Sequence, residues 1–297
     1  MNLSVAIKAP AKVNLLLRVI GKRPDGYHEL QSIMQALELA DELTLERIPG
    51  PGITLTCDSP EVPLGPANLV WKAADAVMRE AGIAEGVRIH LVKNTPTAAG
   101  MGGGSSDAAA TLKGMVLLFG LDIPDARLRQ IALGLGADVP FFLSWPCAMA
   151  EGVGEVLTEL SPPDETFIVA VNPGFPVSTG WVFSSLTFEL TNTYNGIRLS
   201  HSGGLSGKDA RTVAPYLRND LERVTAVKYP QINEIKGRLV EFGAFGALMS
   251  GSGPTVFGVF GSEQEAESAA RRIARPDWKV IVTRTISSWP VPTVLTG

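Results

Sequence analysis

The feature that most constrains this chain is the stretch TPTAAGMGGGSSDAAA, residues 95–110, in which four glycines fall within five positions. It follows a predicted strand, VRIHLVKN, and leads into an alanine-rich predicted helix. The first N–H groups of a helix lack internal partners and its dipole favours negative charge, so this order of elements is suited to an anion. Glycine lets the anion approach the backbone closely because it has no Cβ. The pattern therefore predicts a phosphate site at the start of a helix.

Two other phosphate-binding patterns and one structural alternative compete with this interpretation. A Walker-type loop ends in Gly-Lys-Ser/Thr, and that ending does not occur here. A dinucleotide fingerprint, G-x-G-x-x-G, starts at Gly100 and Gly102 but meets Ser105 where its third glycine belongs. A tight turn that is rich in glycine for structural reasons alone is the third alternative. The density of glycine favours an anion-binding loop over all three.

Composition limits the class of protein and of partner. The 297 residues suffice for one large domain or two ordinary ones, and 45% of them are hydrophobic, enough for a substantial core. A net charge of -4 and the lack of a long basic stripe argue against nucleic acid as a partner and favour a small molecule. Cys57 and Cys147 have no metal-type spacing and indicate a reducing compartment. Because Lys8 and Lys12 interrupt the N-terminal apolar run, we expect no signal peptide, no membrane contact and a cytoplasmic protein.

Periodicity divides the first half of the chain into strands and helices. Apolar and β-branched runs predict two long strands joined by a turn at Pro24-Asp25-Gly26, and a third strand at 53–58. Asn68 is a predicted N-cap for a helix that ends at a glycine. After the glycine loop, the sequence predicts two further helices, the second with Pro124 near its start. A change of composition at 160–167 predicts a domain boundary.

The second half is predicted to combine strands, helices and one loosely packed stretch. The stretch TNTYNGIRLSHSGGLSGKDA, residues 191–210 within a polar segment at 189–211, is expected to be mobile and poorly packed. Helices are predicted over 214–227 and 231–243, followed by a strand–turn–strand over 246–261. A last helix and a last strand complete the pattern. Mixed strands and helices in both halves indicate an α+β fold.

Three stretches carry a resemblance to a known superfamily. PTAAGMGGGSSDAAA closely resembles the phosphate loop of the GHMP small-molecule kinases, with Met101 in place of the usual leucine. APAKVNLLLRVIGKRPDGYHELQS and LMSGSGPTVFGVF are similar to the N-terminal and C-terminal motifs of the same superfamily. The resemblance implies a two-domain GHMP kinase fold. Residues 1–160 would form a ribosomal protein S5 domain 2-like domain that binds ATP and carries the catalytic residues, and 161–297 a ferredoxin-like domain that completes the substrate cleft.

Within that superfamily, further stretches resemble one branch. K-V-N-L-x-L, R-x-D-G-Y-H, GADVPFF and NPG together are similar to kinases that act on cytidine diphosphate-linked methylerythritol, an intermediate of non-mevalonate isoprenoid synthesis. The resemblance implies ATP and Mg²⁺ as cofactors and an alcohol as phosphoryl acceptor. A homoserine- or mevalonate-type kinase is a competing interpretation, which the Gly-Tyr-His turn disfavours. A nucleotide-binding regulator without catalysis is another, disfavoured because both Lys12 and Asp138 are present. The protein is expected to be a monomer or a homodimer.

Two residues are predicted to be catalytic. Lys12 and Asn14 lie on one face of a predicted strand, although Lys12 could equally be a partly buried lysine with its ammonium in solvent. Asp138 is the one acid in LGLGADVPFFLSW, and from local sequence alone it would be read as a helix cap. The resemblance assigns the catalytic lysine position to Lys12 and the catalytic aspartate position to Asp138. Because the neighbours of Asp138 in the sequence are apolar, we expect the carboxylate of Asp138 to be shielded from solvent.

The resemblance also assigns binding residues. Asn14 would contact the erythritol portion, and Tyr27, His28 and Phe183 would hold the cytidine group. Trp181 is expected to pack in the core. The metal ligands stay open, with Ser105, Ser106 and Asp107 as nearby candidates, and Gly251-Ser252-Gly253 offers either further backbone donors or a plain turn. The residues expected to hold the ATP phosphates are Pro96, Thr97, Ala98, Ala99, Gly100, Met101, Gly102, Gly103, Gly104, Ser105 and Ser106.

Overall fold

A computed structural model describes residues 3–186 and 204–296, which form two sheets with helices packed against them. Residues 189–203 of the polar segment predicted at 189–211 lie outside the described residues. In the described remainder, Leu205 and Ala210 are buried in a core cluster, so the expectation of loose packing is wrong there. The strands are β1 (Leu3–Lys22), β2 (His28–Ile48), β3 (Ile53–Cys57), β4 (Gly86–Val92), β5 (Cys147–Gly152), β6 (Val156–Glu159), β7 (Phe167–Asn172), β8 (Arg218–Asn219), β9 (Gly246–Met249), β10 (Val256–Phe260), β11 (Lys279–Arg284) and β12 (Thr293–Thr296). The α-helices are α1 (Leu69–Ala81), α2 (Gly103–Phe119), α3 (Asp125–Leu135), α4 (Thr179–Ser184), α5 (Ala210–Val213), α6 (Glu222–Lys228), α7 (Gln231–Glu241) and α8 (Glu263–Ile273).

The first sheet is built around the long antiparallel pair β1 and β2, joined by the predicted turn. Its strand order is β12-β1-β2-β4-β3, with β5 and β6 continuing from β2 and β8 beside β1. Helices α1 and α2 pack against this sheet, and α3 packs on those two helices. Leu45 and Leu91 of the sheet belong to the same buried cluster as Val70 of α1 and Leu112 of α2. Asn68 caps α1 as predicted, since its Oδ1 accepts from the Val70 N–H at 2.8 Å.

Strand β1 separates two environments along its length. Ala11, Val13 and Leu15 face the core between the two sheets, while Lys12 and Asn14 point to the opposite side, as the period of two predicts. The pairing with β2 shifts register between Pro10 and Lys12 and again between Asn14 and Leu16. Irregularities of this kind bend a strand and re-aim its side chains. The bent part of β1 therefore carries the polar face of the site described below.

The second sheet is antiparallel throughout, with the order β11-β7-β10-β9. Helices α7 and α8 pack on it through Ile235, Leu239 and Ile273. The Ser262 hydroxyl begins α8 by accepting from the Glu265 N–H, so the predicted last helix has a capped start. The strands are short and rich in Val and Phe, as expected of a sheet covered on both sides.

One cluster of buried side chains joins the two sheets. Leu15 and Ile33 of the first sheet pack in the same cluster as Ile168, Phe257 and Val259 of the second. The later part of the chain also returns to the first sheet, because β8 and β12 both pair with β1. A division of the chain at 160/161 stays a prediction.

The prediction of one continuous helix over 214–227 is wrong. The structure has a 3-10 turn at Ala214–Tyr216, then β8, and an α-helix only from Glu222. Pro215 has no N–H to continue a helix, and the Asn219 side chain accepts from the Leu221 N–H. Tertiary pairing of β8 with β1 completes the break. Strands β5, β6 and β12 and helix α4 were not predicted.

Candidate active site

A cavity of about 420 Å³ opens between the two halves of the molecule. One wall is the polar face of β1, with Lys12 and Asn14, and the opposite wall comes from Thr179 and Phe183 of α4. The glycine loop and Asp138 form one end, and the turn after β9 contributes Gly251 and Ser252. We call this space the cleft cavity. It brings together side chains that lie far apart in the sequence.

Lys12 is a buried ammonium group whose contacts all belong to this site. Its Nζ donates to Asn14 Oδ1 at 2.6 Å and to the Gly100 carbonyl at 3.0 Å. It also lies 3.6 Å from Asp138 Oδ2, although only 4% of the Lys12 side chain is exposed. Burial lowers the pKa of Lys12, and the neighbouring Asp138 carboxylate opposes that effect. A cation is thus held between the strand, the glycine loop and a carboxylate.

The side chain of Asp138 is more exposed to solvent than its apolar sequence neighbours led us to expect. The carboxylate is 41% exposed, so the expectation of a shielded group is wrong. Val139, Pro140 and Phe141 are buried, but they turn into the core and leave the carboxylate at the cavity wall. Asp138 stands at the start of a 3-10 helix, Val139–Leu143, and its side chain makes no capping hydrogen bond there. The Asp138 side chain therefore lines the cleft cavity beside Lys12.

The glycine loop is clamped between the two halves. Gly100 has φ +76°, and a Cβ there would lie 2.1 Å from the Ser250 carbonyl oxygen. The Gly100 carbonyl accepts from both Lys12 Nζ and Ser250 Oγ, the latter at 2.9 Å. Glycine is required here because both the backbone conformation and the close approach exclude a side chain. The loop is positioned by β1 and by the turn after β9 together.

A second cavity, of about 350 Å³, lies on the other side of the glycine loop. We call it the loop cavity. It shares Ala98, Gly100, Gly102 and Ser105 with the cleft cavity, so the two spaces meet at the loop. The residues predicted to hold ATP phosphates that line the loop cavity are Pro96, Thr97, Ala98, Ala99, Gly100, Gly102, Gly103, Gly104 and Ser105.

Two residues predicted to hold ATP are placed elsewhere. Met101 is buried in the core between the sheets, and its carbonyl accepts from the Lys12 N–H at 2.9 Å. Ser106 is buried on the side of α2 that faces a third cavity, and its N–H donates to the Gly102 carbonyl. The helical rotation of about 100° per residue explains why Ser105 and Ser106 point to different sides. Ser105 therefore contacts both adjoining cavities, whereas Ser106 supports the helix.

A buried ion cluster lies under the first turn of α2. Lys93 Nζ pairs with Asp41 Oδ2 and with Asp107 Oδ2, the latter at 2.7 Å. Asp41 Oδ1 accepts from the N–H groups of Asn94 and Thr95. Burial raises the pKa of Asp107 to about 8, against the opposing pull of Lys93. The pKa of Lys93 is raised because its two carboxylate neighbours outweigh its burial. The cluster ties β2, β4 and α2 together behind the glycine loop.

Of the three residues predicted to hold the cytidine group, only Phe183 lines the cleft cavity. His28 stacks on Phe183 with ring centroids 5.3 Å apart, and Phe183 lines the cavity. Tyr27 is 65% exposed on the neighbouring turn. Burial and the nearby Lys22 lower the pKa of His28, which favours its neutral form at pH 7. Trp181 packs edge-to-face on Tyr229 against the second core rather than in the cavity.

Comparison with known proteins identifies the fold and the relatives. Residues 68–144 match the model of the GHMP kinases N terminal domain, and residues 199–276 match GHMP kinases C terminal. The 4-diphosphocytidyl-2-C-methyl-D-erythritol kinase of Geobacter metallireducens is 49% identical over 95% of this chain and 99% of its own length. The kinase of the same name from Geobacter sulfurreducens is 46% identical over the same shares. The chain belongs to the 4-diphosphocytidyl-2-C-methyl-D-erythritol kinase family.

Solved structures agree with membership of this kinase family. A crystal structure of 4-(cytidine 5'-diphospho)-2C-methyl-D-erythritol kinase superposes with a TM-score of 0.80 at 34% identity, covering 94% of this chain and 98% of that one. A homoserine kinase from Cytophaga hutchinsonii and a mevalonate kinase from L. major superpose with TM-scores of 0.74 and 0.73, at 19% and 15% identity. They cover 98% and 96% of this chain and 97% of their own chains, and they show the fold alone. The predicted α+β GHMP kinase fold is confirmed.

Two residues of this kinase support the site, although the sequence assigned them no clear role. Asn219 Nδ2 donates to the carbonyls of Met249 and Gly251, both at 2.7 Å. Asp220 Oδ2 accepts from the Val19 N–H and its Oδ1 accepts from Arg218 Nε. They tie β1 to the turn that clamps the glycine loop. The signal in the sequence is the stretch RNDLE, residues 218–222, which resembles an element of the GHMP kinases.

Among residues 3–186 and 204–296, no group of three or more His, Cys, Asp or Glu could hold a metal ion. Of the three candidates near the loop, Ser106 faces the third cavity and Asp107 is engaged by Lys93. Ser105 lines both the cleft and the loop cavity. In the same described part of the chain, no helix is long and apolar enough to cross a membrane.

Proposed function

We propose that this protein transfers the γ-phosphoryl group of ATP to the 2-hydroxyl of 4-diphosphocytidyl-2-C-methyl-D-erythritol in non-mevalonate isoprenoid biosynthesis. One observation carries the proposal: Lys12 and Asp138 meet at 3.6 Å where the cleft cavity joins the loop cavity across a glycine loop. ATP occupies the loop cavity and the alcohol occupies the cleft cavity. The γ-phosphate then reaches the junction beside the catalytic pair.

The glycine loop positions the phosphates of ATP. Its backbone N–H groups and the N-terminus of α2 offer donors and a favourable dipole to negative charge. Phosphoryl transfer depends on alignment and on charge stabilisation more than on a strong base. Ser105, which lines both cavities, would offer Mg²⁺ an oxygen ligand of the kind the ion prefers, and the ion would supply neutralisation of phosphate charge. The clamp between Gly100 and Ser250 fixes the loop in both halves of the molecule.

Lys12 and Asp138 act on the acceptor hydroxyl. The 2-oxygen forms a bond to the γ-phosphorus while the bond from that phosphorus to the β–γ bridging oxygen breaks, and the bridging oxygen leaves on ADP. Asp138 orients the hydroxyl and accepts its proton as transfer completes. Lys12 lies 3.6 Å from Asp138 Oδ2 and stabilises the negative charge that develops on the acceptor oxygen. Asn14, which holds Lys12, would also contact the erythritol hydroxyls.

The cytidine group binds at the aromatic end of the cleft cavity. His28 and Phe183 already stack there, and Tyr27 lies on the adjoining exposed turn, from which it can close over a base. A pyrimidine stacked on Phe183 leaves its polar edge for the imidazole of His28 and for backbone groups. A cytoplasmic location and a monomeric or dimeric state stay predictions.

A substrate panel tests this function. The protein is incubated with ATP, Mg²⁺ and one of three alcohols: 4-diphosphocytidyl-2-C-methyl-D-erythritol, homoserine or mevalonate. ADP release is expected only with the cytidine-linked alcohol. Phe183→Leu should raise KM for that alcohol and leave KM for ATP unchanged, because it removes a ring from the cleft cavity only. Turnover with homoserine or mevalonate in its place contradicts the proposal, and ATP binding without any turnover favours the regulator.

A further inference from the structure

A third cavity, of about 260 Å³, lies behind the glycine loop on the opposite side of α2. We call it the α2–Trp289 cavity. Its walls are α2, through Ser106, Ala110 and Lys113, and the segment 289–292 that precedes β12. Its floor is the edge of β1 at 7–10. β12 pairs with β1 only over Leu3–Ala6, so this part of the strand edge faces the cavity instead of β12.

Lys113 places a positive charge in this cavity. Its ammonium donates to the Phe142 carbonyl at 2.8 Å and lies 5.2 Å from the centre of the Trp289 ring. An ammonium group carries three donors, and that carbonyl uses one of them. Burial lowers the pKa of Lys113 to about 8. The cavity lining of the described residues includes a second lysine, Lys8, and no carboxylate. A buried cation without an acidic partner favours an anion from outside the protein.

The remaining walls are apolar and aromatic. Trp289 is fixed by its indole N–H, which donates to the Ser144 carbonyl at 2.9 Å, and by an edge contact with Phe141. Phe142 packs at an angle beside it, with ring centroids 6.2 Å apart. Val291 is 87% exposed at the cavity mouth. Such walls accept the apolar body of a small molecule, while a few polar groups orient it.

We propose that the α2–Trp289 cavity is a binding site for a compact organic monoanion, with its carboxylate or phosphate on Lys113 and its apolar part on Trp289. The volume corresponds to about nine water-sized groups at ~30 Å³ each, which sets the size of the ligand. The site is separate from catalysis, because α2 stands between it and the loop cavity. Neither the proposed reaction nor its substrates use it.

Benzoate is a suitable probe because it has the required charge, ring and size. Binding is followed by the NMR signal of the Trp289 indole N–H, assigned with Trp289→Phe, in the presence of saturating ADP. A dissociation constant on the order of 1 mM is expected for a ligand of this size. Benzamide, which has nearly the same shape but no charge, should bind at least about tenfold more weakly. No shift of the Trp289 signal at millimolar benzoate, equal binding of benzamide, or competition by ADP overturns the proposal.

Variants assign the binding to this cavity. Lys113→Met keeps the buried stem and removes the charge, so benzoate affinity should fall at least about tenfold. Lys72→Met, on the exposed side of α1, is the matched control and should leave it unchanged. Ala110→Leu keeps Lys113 and fills the cavity, so it should also abolish binding of benzoate. It provides a second test if the Lys113→Met protein fails to fold. Unchanged binding in a folded Lys113→Met or Ala110→Leu protein overturns the proposal.

Discussion

Lys12 illustrates how one side chain combines structure and chemistry at the scale of single residues. Its ammonium is enclosed by the Asn14 amide, the Gly100 carbonyl and the Asp138 carboxylate. A buried cation is costly unless it is paired and hydrogen-bonded, and each of these partners belongs to the proposed reaction site. The same contacts that make the charge tolerable also direct it at the acceptor oxygen. Replacing a partner of Lys12, such as Asp138, tests whether that partner takes part in the reaction as well as stabilising the buried charge.

Asp138→Asn should abolish most of the activity while ATP still binds. The amide keeps the shape of the carboxylate but neither accepts the proton nor carries charge, so kcat should fall by about 10²–10⁴-fold. KM for ATP should change by less than about threefold, since Asp138 is not among the residues that line the loop cavity. Coupled measurement of ADP release gives both constants. Asp122→Asn, at an exposed position, is the control, and near-normal kcat in Asp138→Asn would remove the residue from the mechanism.

Lys113 makes a contribution to the free energy of unfolding that depends on pH. Its pKa is about 8 in the folded protein, below the 10.5 of the unfolded chain, so the unfolded state binds more protons between these values. The cost of burying the charge is therefore present below pH 8 and is relieved as pH rises towards 10. Relative to Lys113→Met, the unfolding free energy of the wild type should rise by up to about 3 kcal/mol over that range. Urea titrations at pH 7, 8.5 and 10 measure it, and parallel profiles would contradict it.

At the scale of elements, the glycine loop depends on a few positions rather than on its glycine content. Gly100→Ala places a Cβ 2.1 Å from the Ser250 carbonyl at φ +76°, and should destabilise the protein by more than about 2 kcal/mol. Gly104→Ala, in the first turn of α2, meets only Leu69 Cδ1 at 3.8 Å and should be neutral or stabilising by up to about 1 kcal/mol. Urea unfolding without ligand measures both. Equal effects would show that the loop is not clamped.

The buried cluster of Lys93, Asp41 and Asp107 joins three elements. Lys93→Met leaves the acidic side chains of Asp41 and Asp107 buried without a cation, which should cost about 3–5 kcal/mol of unfolding free energy. Removing the cation raises the pKa of Asp107 further above its value of about 8, so the variant goes on losing stability above pH 8 where the wild type does not, and the deficit should grow as pH rises from 7 to 9. Urea titration at the two pH values measures this, with exposed Lys72→Met as control. A deficit that does not depend on pH would argue against the cluster.

Elements differ in how far their sequence predicts them. The long strands β1 and β2 and helix α1 were predicted because their apolar periodicity and the Asn68 cap are local signals. The catalytic pair rested on resemblance, since nothing near Asp138 distinguishes it from a cap. The Lys93 cluster was missed because Asp41 and Asp107 lie 52 and 14 residues from the lysine, with no pattern to link them. The helix expected over 214–227 failed where Asn219 serves tertiary contacts instead of local ones.

At the scale of the whole molecule, the shared core should make the two halves unfold together. Phe257 is fully buried among residues of both sheets, so Phe257→Ala should cost about 3–5 kcal/mol. We expect a single calorimetric transition in the wild type, with equal calorimetric and van't Hoff enthalpies, and the same single transition at lower temperature in the variant. Val227→Ala, at an exposed position, is the control. Two transitions of which only one moves would show that the halves are independent.

The partners of β1 in the first sheet are translated at very different times. Leu3–Ala6 leave the ribosome long before Thr293–Thr296, with which they pair. Leu16 and Leu17 likewise precede their partners Arg218 and Asn219 by about 200 residues. One edge of β1 can pair with β2 soon after both have been translated. Its other edge pairs with β8 and β12, which are translated much later. During that interval an open strand edge is exposed, and such edges can pair with other chains. Chaperone demand during translation should therefore persist until the C-terminal strand has been made.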